Sequence, residues 1–160
     1  MIIAIERIAT SVPEIRVGAG TLTDVGQTSP VLAAGAQFVV TPGSPPALIE
    51  AIGRCELPLL PGAGTLTEMM TLLARGHRAV EFFPAERCGG AGYLDAVAGP
   101  LPMLKFCPTG GINAQNAPDY LARSNVGCVG GSWLSPVSLM ANGNWSAITA
   151  LARRAAQLGR

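Results

Sequence analysis

Few residues in this chain can do covalent or acid–base chemistry. Glu81 opens the run Glu81-Phe82-Phe83-Pro84-Ala85-Glu86, which reads as a strand and the turn that leaves it. Lys105 is the only lysine, and His77 is the only histidine. A desolvated lysine supplies neutral amine for attack on a carbonyl, because burial lowers its pKa. A carboxylate can move protons but cannot form an imine. Glu81 shares a strand face with Phe83, since alternate residues point the same way. A carboxylate held on an inward face needs a partner or keeps its proton. Two glycine pairs complete the set, in Thr109-Gly110-Gly111 and Gly130-Gly131-Ser132. Glycine lets backbone N–H groups approach an anion closely, although a glycine pair taken alone reads equally well as a turn.

Composition removes several function classes. The chain has 160 residues, 49% hydrophobic and 13% charged, which favours a heavily buried α/β protein with one core. A net charge of +1 gives no broad basic surface, so no nucleic-acid partner is expected. Apolar runs are short and broken by Pro or Gly, so no membrane span is expected. The first residues, Met1 to Arg7, lack a basic region ahead of an apolar one, and the expectation is a cytoplasmic protein. Cys55, Cys88, Cys107 and Cys128 form no CxxC pair, so no zinc or other metal site is expected. Cys107 and Cys128 lie in apolar strand-like runs and read as small buried hydrophobes.

The elements that must position these residues alternate. Residues 2–12 place Ile2, Ile5, Ile8, Ala9 and Val12 on one helical face. Strands are expected at 16–21, 36–41, 57–62, 78–83, 103–107 and 126–130. Helices are expected at 22–34, 45–53, 65–75, 90–98, 113–123 and 144–158. Thr65-Leu66-Thr67-Glu68 has capping-box spacing, and Gly76 is a helix stop. Strands alternating with helices, without hairpin signals, mean a parallel sheet wrapped by helices. Polar residues collect where strands end, as in a (β/α) barrel with its site at the C-terminal face. No GxGxxG opens the first helix, which argues against a dinucleotide fold. Trp133 and Trp145 read as packing anchors, and His77 as a surface residue.

The order of Glu81-Phe82-Phe83-Pro84-Ala85-Glu86, Cys107-Pro108-Thr109-Gly110-Gly111 and Gly130-Gly131-Ser132-Trp133 on successive strands closely resembles one family. It is that of the class I aldolases acting on 2-keto-3-deoxy-6-phosphogluconate and 4-hydroxy-2-oxoglutarate. The resemblance runs from about Ile5 to the end. It implies an eight-stranded barrel of which these six strands are the third to eighth, an incomplete (β/α)8 TIM barrel forming one partial domain over residues 1–160. The family's first two strands, carrying its glutamate base and a carboxylate-binding arginine, would lie before Met1. The implied reaction is retro-aldol cleavage to pyruvate and glyceraldehyde 3-phosphate or glyoxylate, with no metal or organic cofactor and a homotrimeric assembly. The implied ligands are pyruvate or a small phosphorylated keto acid.

Carried over residue by residue, the resemblance puts Thr21, Phe83 and Thr109 around the pyruvate. It puts Gly110, Gly111, Gly130, Gly131 and Ser132 around the phosphate. Pro42 and Pro61 mark the same rim, and Glu86 matches a family glutamate. Gly64 stands where the family usually has a serine. The larger departure is Glu81, which occupies the place of the family's Schiff-base lysine. Lys105 is four residues before Thr109, about 13 Å lower on its strand, too far down to stand in. It reads instead as a barrel-floor charge or a partner for a nearby acid. The expectation is therefore an aldolase frame with little or no activity. The alternative is a non-catalytic scaffold or phosphate-binding remnant that forms oligomers.

Overall fold

The computed structural model describes residues 1–158 and divides them into two compact units, Met1–Glu81 and Phe82 onward. The first begins with α1 (Ile2–Ser11). Of its expected apolar face, Ile5 is buried and Ala9 half-buried, while Ile2, Ile8 and Val12 stay exposed. Leu22 is buried but not helical. Asp24 instead caps a 3-10 turn at Val25–Gln27 by accepting from the Gly26 N–H at 2.7 Å. Gln27 reciprocates by accepting from Thr23 and Asp24 N–H groups, and α2 (Thr28–Ala33) follows. The expected helix over 22–34 thus starts late, because a side-chain cap fixes its entry.

Strand β1 (Val39–Val40) pairs in parallel with β2 (Leu59–Leu60), Val39 opposite Leu59. The first expected strand, 16–21, survives as one parallel bridge from Ala19 to Val39, flanked by a bond from Leu22 N–H to Val40 C=O. The third is split at Pro61 into β2 and β3 (Gly62–Ala63), since proline brings no N–H to a ladder. Between β1 and β2 stands α3 (Pro46–Arg54), with Pro45 and Pro46 at its opening, and α4 (Leu66–Ala74) follows β3. The core of this unit joins Ile5, Val17, Ala19, Leu22, Val31, Val39, Leu48 and Ile52.

Both ends of α4 form as expected. Thr65 Oγ1 accepts from Glu68 N–H, and Glu68 Oε2 accepts from the N–H groups of Gly64 and Thr65, each at 2.9 Å. At the far end Gly76 takes φ +92°, while His77 N–H bonds Leu72 C=O and Gly76 N–H bonds Leu73 C=O. That is a Schellman closure, in which glycine tolerates the left-handed turn.

Strand β4 (Ala79–Phe82) carries the boundary between the units. In the second unit a 3-10 turn at Ala85–Cys88 leads into α5 (Gly90–Ala98), then β5 (Lys105–Pro108) and α6 (Ala117–Leu121). Helix α6 is shorter than the expected 113–123. Asn113 Oδ1 accepts from the N–H groups of Gln115 and Asn116, a local turn that holds the chain out of the helix. The sixth expected strand, 126–130, is present as two parallel bridges, Phe106 with Val126 and Thr109 with Gly130. Helices α7 (Val137–Ala141), which the sequence pattern did not suggest, and α8 (Trp145–Ala155) finish the unit. Phe82 anchors its core, stacked on Tyr93 and edge-on to Phe106. Trp145 is 63% exposed and is no packing anchor. Among the described residues, no helix is long and apolar enough to cross a membrane, and no cluster of three metal-ligating side chains occurs.

Candidate functional site

In the first unit, Glu81 lies near the end of β4 and is 8% exposed. Its N–H donates to Pro61 C=O at 2.9 Å, so its backbone is fixed by the proline that splits the neighbouring strand. Thr21 is exposed and takes φ +63°. For a β-branched residue this is a strained backbone, of order 1–3 kcal/mol, and such residues concentrate at functional positions. Positive φ in a threonine has no local sequence signature. Thr21 sits at the C-terminal ends of the unit's strands, as do Pro42 and Gly62. Ser44 Oγ donates to Gly62 C=O at 2.6 Å, tying two of those ends together. A recess of about 530 Å³, lined by Pro13, Arg16, Phe38 and Pro58, lies at the opposite, N-terminal ends.

The second unit brings Phe83, Thr109, Gly110, Gly111, Gly130, Gly131 and Ser132 together. Thr109 N–H donates to Phe82 C=O at 3.0 Å, and Thr109 bridges Gly130, so both glycine loops leave adjacent strands at one end. Ala85 N–H bonds Thr109 C=O and Glu86 N–H bonds Gly110 C=O. The first loop is therefore pinned through its carbonyls. Among the described residues, the N–H groups of Gly111, Gly131 and Ser132 donate to no carbonyl or side chain. Such a set of unspent donors is what an anion requires.

The two pairs are glycine for different reasons. Gly110 and Gly111 have φ of +93° and +84°, and a Cβ on Gly111 would lie 2.6 Å from Glu86 Cγ. Gly131 is extended, but a Cβ there would strike the Trp133 ring at 1.9 Å. A Cβ on Gly130 would strike Thr109 Oγ1 at 2.6 Å. In the second loop, close approach by side chains of the same unit sets the residue type.

Sequence reasoning missed Tyr120. Its hydroxyl donates to Glu86 Oε1, and burial, reinforced by the carboxylate, pushes the phenol well above its ordinary value. Tyr120 thus holds Glu86 against Gly111. Its only signal in the sequence was its place on the apolar face of a short helix. Lys105 is exposed, and its Nζ donates to Ser124 C=O at 2.8 Å rather than to an acid. His77 is half-buried, and burial, with Arg75 nearby, holds its imidazole below the ordinary value. Cys107 is half-buried and Cys128 exposed, so neither is the fully buried hydrophobe the strand pattern suggested.

Comparison with known proteins agrees with this geometry. The family model for KDPG and KHG aldolases matches residues 2–151. A 2-dehydro-3-deoxy-phosphogluconate aldolase of Dickeya dadantii is 49% identical over 152 residues, 95% of this chain and 71% of that protein. A KHG/KDPG aldolase of Escherichia coli is 46% identical over 96% of this chain and 72% of its own length. Among solved structures, a Legionella pneumophila KDPG aldolase with pyruvate captured as a covalent carbinolamine superposes with TM-score 0.92. It is 44% identical, over 96% of this chain and 75% of that one. Its fold is shared, and the α/β architecture with parallel strand pairing described above is the corresponding part of it. This chain belongs to the KDPG and KHG aldolase family.

Proposed function

We propose that residues 1–160 form one partial (β/α)8 barrel domain in which the six strand segments correspond to the family's third to eighth. On this reading the frame is that of a retro-aldol lyase, and its turnover is close to zero. The observation that carries the reading is Glu81, a carboxylate 8% exposed on β4 and followed directly by Phe82-Phe83-Pro84, where the resemblance places the Schiff-base lysine. A class I aldolase gains its rate from an iminium that withdraws electrons from the adjacent C–C bond, and only an amine can form it. Lys105 is engaged with the Ser124 carbonyl in the turn before Val126 and does not substitute. Incubation with pyruvate and borohydride, followed by mass spectrometry, tests the reading through the chain's single lysine.

A second reading is a non-catalytic phosphate-binding protein. It is favoured by the unspent N–H groups of Gly111, Gly131 and Ser132 on loops joined at Thr109 and Gly130. Phe83 and Thr109, beside these loops, would then face the keto-acid end of a small phosphorylated ligand. A ligand that binds only the folded state stabilises it by mass action, about 2.7 kcal/mol at a hundredfold excess over Kd. Raising inorganic phosphate to millimolar levels is expected to raise the melting temperature, more than sulfate-free chloride of equal ionic strength does. Equal shifts in the two salts would contradict a phosphate site.

A further inference from the structure

The two cysteines of the second unit's strand pair take no part in the aldolase or phosphate chemistry. Between the bridges Phe106–Val126 and Thr109–Gly130, β5 advances three residues and its neighbour four. The neighbour therefore carries one extra residue, a bulge that shifts its register. Counting back two from Thr109–Gly130 pairs Cys107 with Cys128, on the strand face that Thr109 also uses. Counting forward from Phe106–Val126 would have paired Cys107 with Gly127, which has no side chain to intervene. The neighbouring Cys107 side chain draws the Cys128 thiol down to about 7, against the opposing effect of partial burial. Cys107 Sγ also lies 4.0 Å from Thr109 Oγ1. Adjacent strands run about 4.8 Å apart, inside the Cα range that disulfides span.

We infer that Cys107 and Cys128 are a thiol–disulfide redox pair, oxidised to an intrachain disulfide by a low-molecular-weight disulfide such as oxidised glutathione. The Cys128 thiolate, exposed to solvent, attacks one sulfur of the oxidant and displaces a glutathione thiolate, leaving a mixed disulfide on Cys128. Cys107 then gives up its proton and attacks Cys128 Sγ, which expels the second glutathione. Two protein thiols lose two electrons, one glutathione disulfide gains them, and the two protons end on the two glutathione thiols. In-register neighbours on parallel strands have Cβ atoms slightly farther apart than the mean disulfide span. The bond draws the strands together and belongs to the readily reduced class.

The test is thiol mapping on the whole chain. After treatment with oxidised glutathione and blocking of free thiols, digestion is expected to yield a cross-linked Cys107–Cys128 peptide that dithiothreitol releases. Cys55 and Cys88 are expected to remain alkylated. In Cys107→Ser the same treatment is expected to stop at a glutathione adduct on Cys128. Alkylation of Cys128 at pH 7 is expected to slow about tenfold in Cys107→Ala, which removes the hydrogen-bonding side chain and lets the Cys128 thiol return toward the free value. Free thiols at both positions, a persistent mixed disulfide in the unsubstituted protein, or a Cys128 link between chains would each overturn the assignment. Unchanged Cys128 reactivity in Cys107→Ala would do the same.

Discussion

At position 81 the side chain ends in a carboxylate that is 8% exposed, on a backbone anchored to Pro61 C=O. The resemblance turns on that one atom type. An amine placed there would be desolvated, would have a lowered pKa, and would be neutral enough at pH 8 to attack a keto acid. Glu81→Lys is therefore expected to gain a pyruvyl adduct on reduction with borohydride, mapped by mass spectrometry to position 81 and absent from Lys105. A folded Glu81→Lys protein with no adduct would show that this position does not meet the keto acid. The run 81–86 was legible in the sequence, because the motif is contiguous. The clamp on Glu86 was not, because Tyr120 comes from a helix 34 positions away in sequence and acts through its hydroxyl alone. The strain at Thr21 was equally silent, since nothing in Gly18-Ala19-Gly20-Thr21 distinguishes which residue takes positive φ.

The elements follow local chemistry wherever a side chain reaches its own backbone. Thr65 and Glu68 mark the start of α4 from sequence alone, and the observed reciprocal bonds bear that out. Hydrogen bonds from Gly64 N–H, and then from the Thr65 hydroxyl and N–H, hold the Glu68 carboxyl below its ordinary value. The folded state thus binds that proton less tightly than the unfolded chain. Its contribution is present above the unfolded value near ~4.3 and is lost as pH falls through the lower folded value. Thr65→Ala is expected to cost about 1 kcal/mol in urea unfolding at pH 7. The difference between the two proteins is expected to shrink as pH drops below ~4. A cost that stayed constant down to about pH 3 would contradict a charged cap. Where caps were not anticipated, boundaries moved. The Asn113 turn shortens α6, the Asp24 cap delays α2, and Pro61 divides an expected strand. Strand 126–130 is reduced to two bridges by one extra residue, a register property that no pattern of apolar residues reveals.

Over the whole molecule, parallel pairing and α/β alternation were legible because the strand runs repeatedly end in Gly or Pro ahead of an amphipathic stretch. The apolar surface left over was not. Ile2, Ile3, Ile8, Val12 and Ile15 are exposed in the first unit, and Val137 and Trp145 in the second. Contiguous exposed apolar residues on a small protein favour association. Sedimentation velocity at micromolar concentration is expected to show a homo-oligomer, a trimer on the family's pattern. A monodisperse monomer across that range would contradict it. The central claim is chemical, and reductive capture tests it most directly. The unsubstituted protein, incubated with pyruvate and borohydride and then weighed intact, is expected to keep its unmodified mass. A pyruvyl adduct on Lys105 would contradict the account and place imine chemistry in this chain.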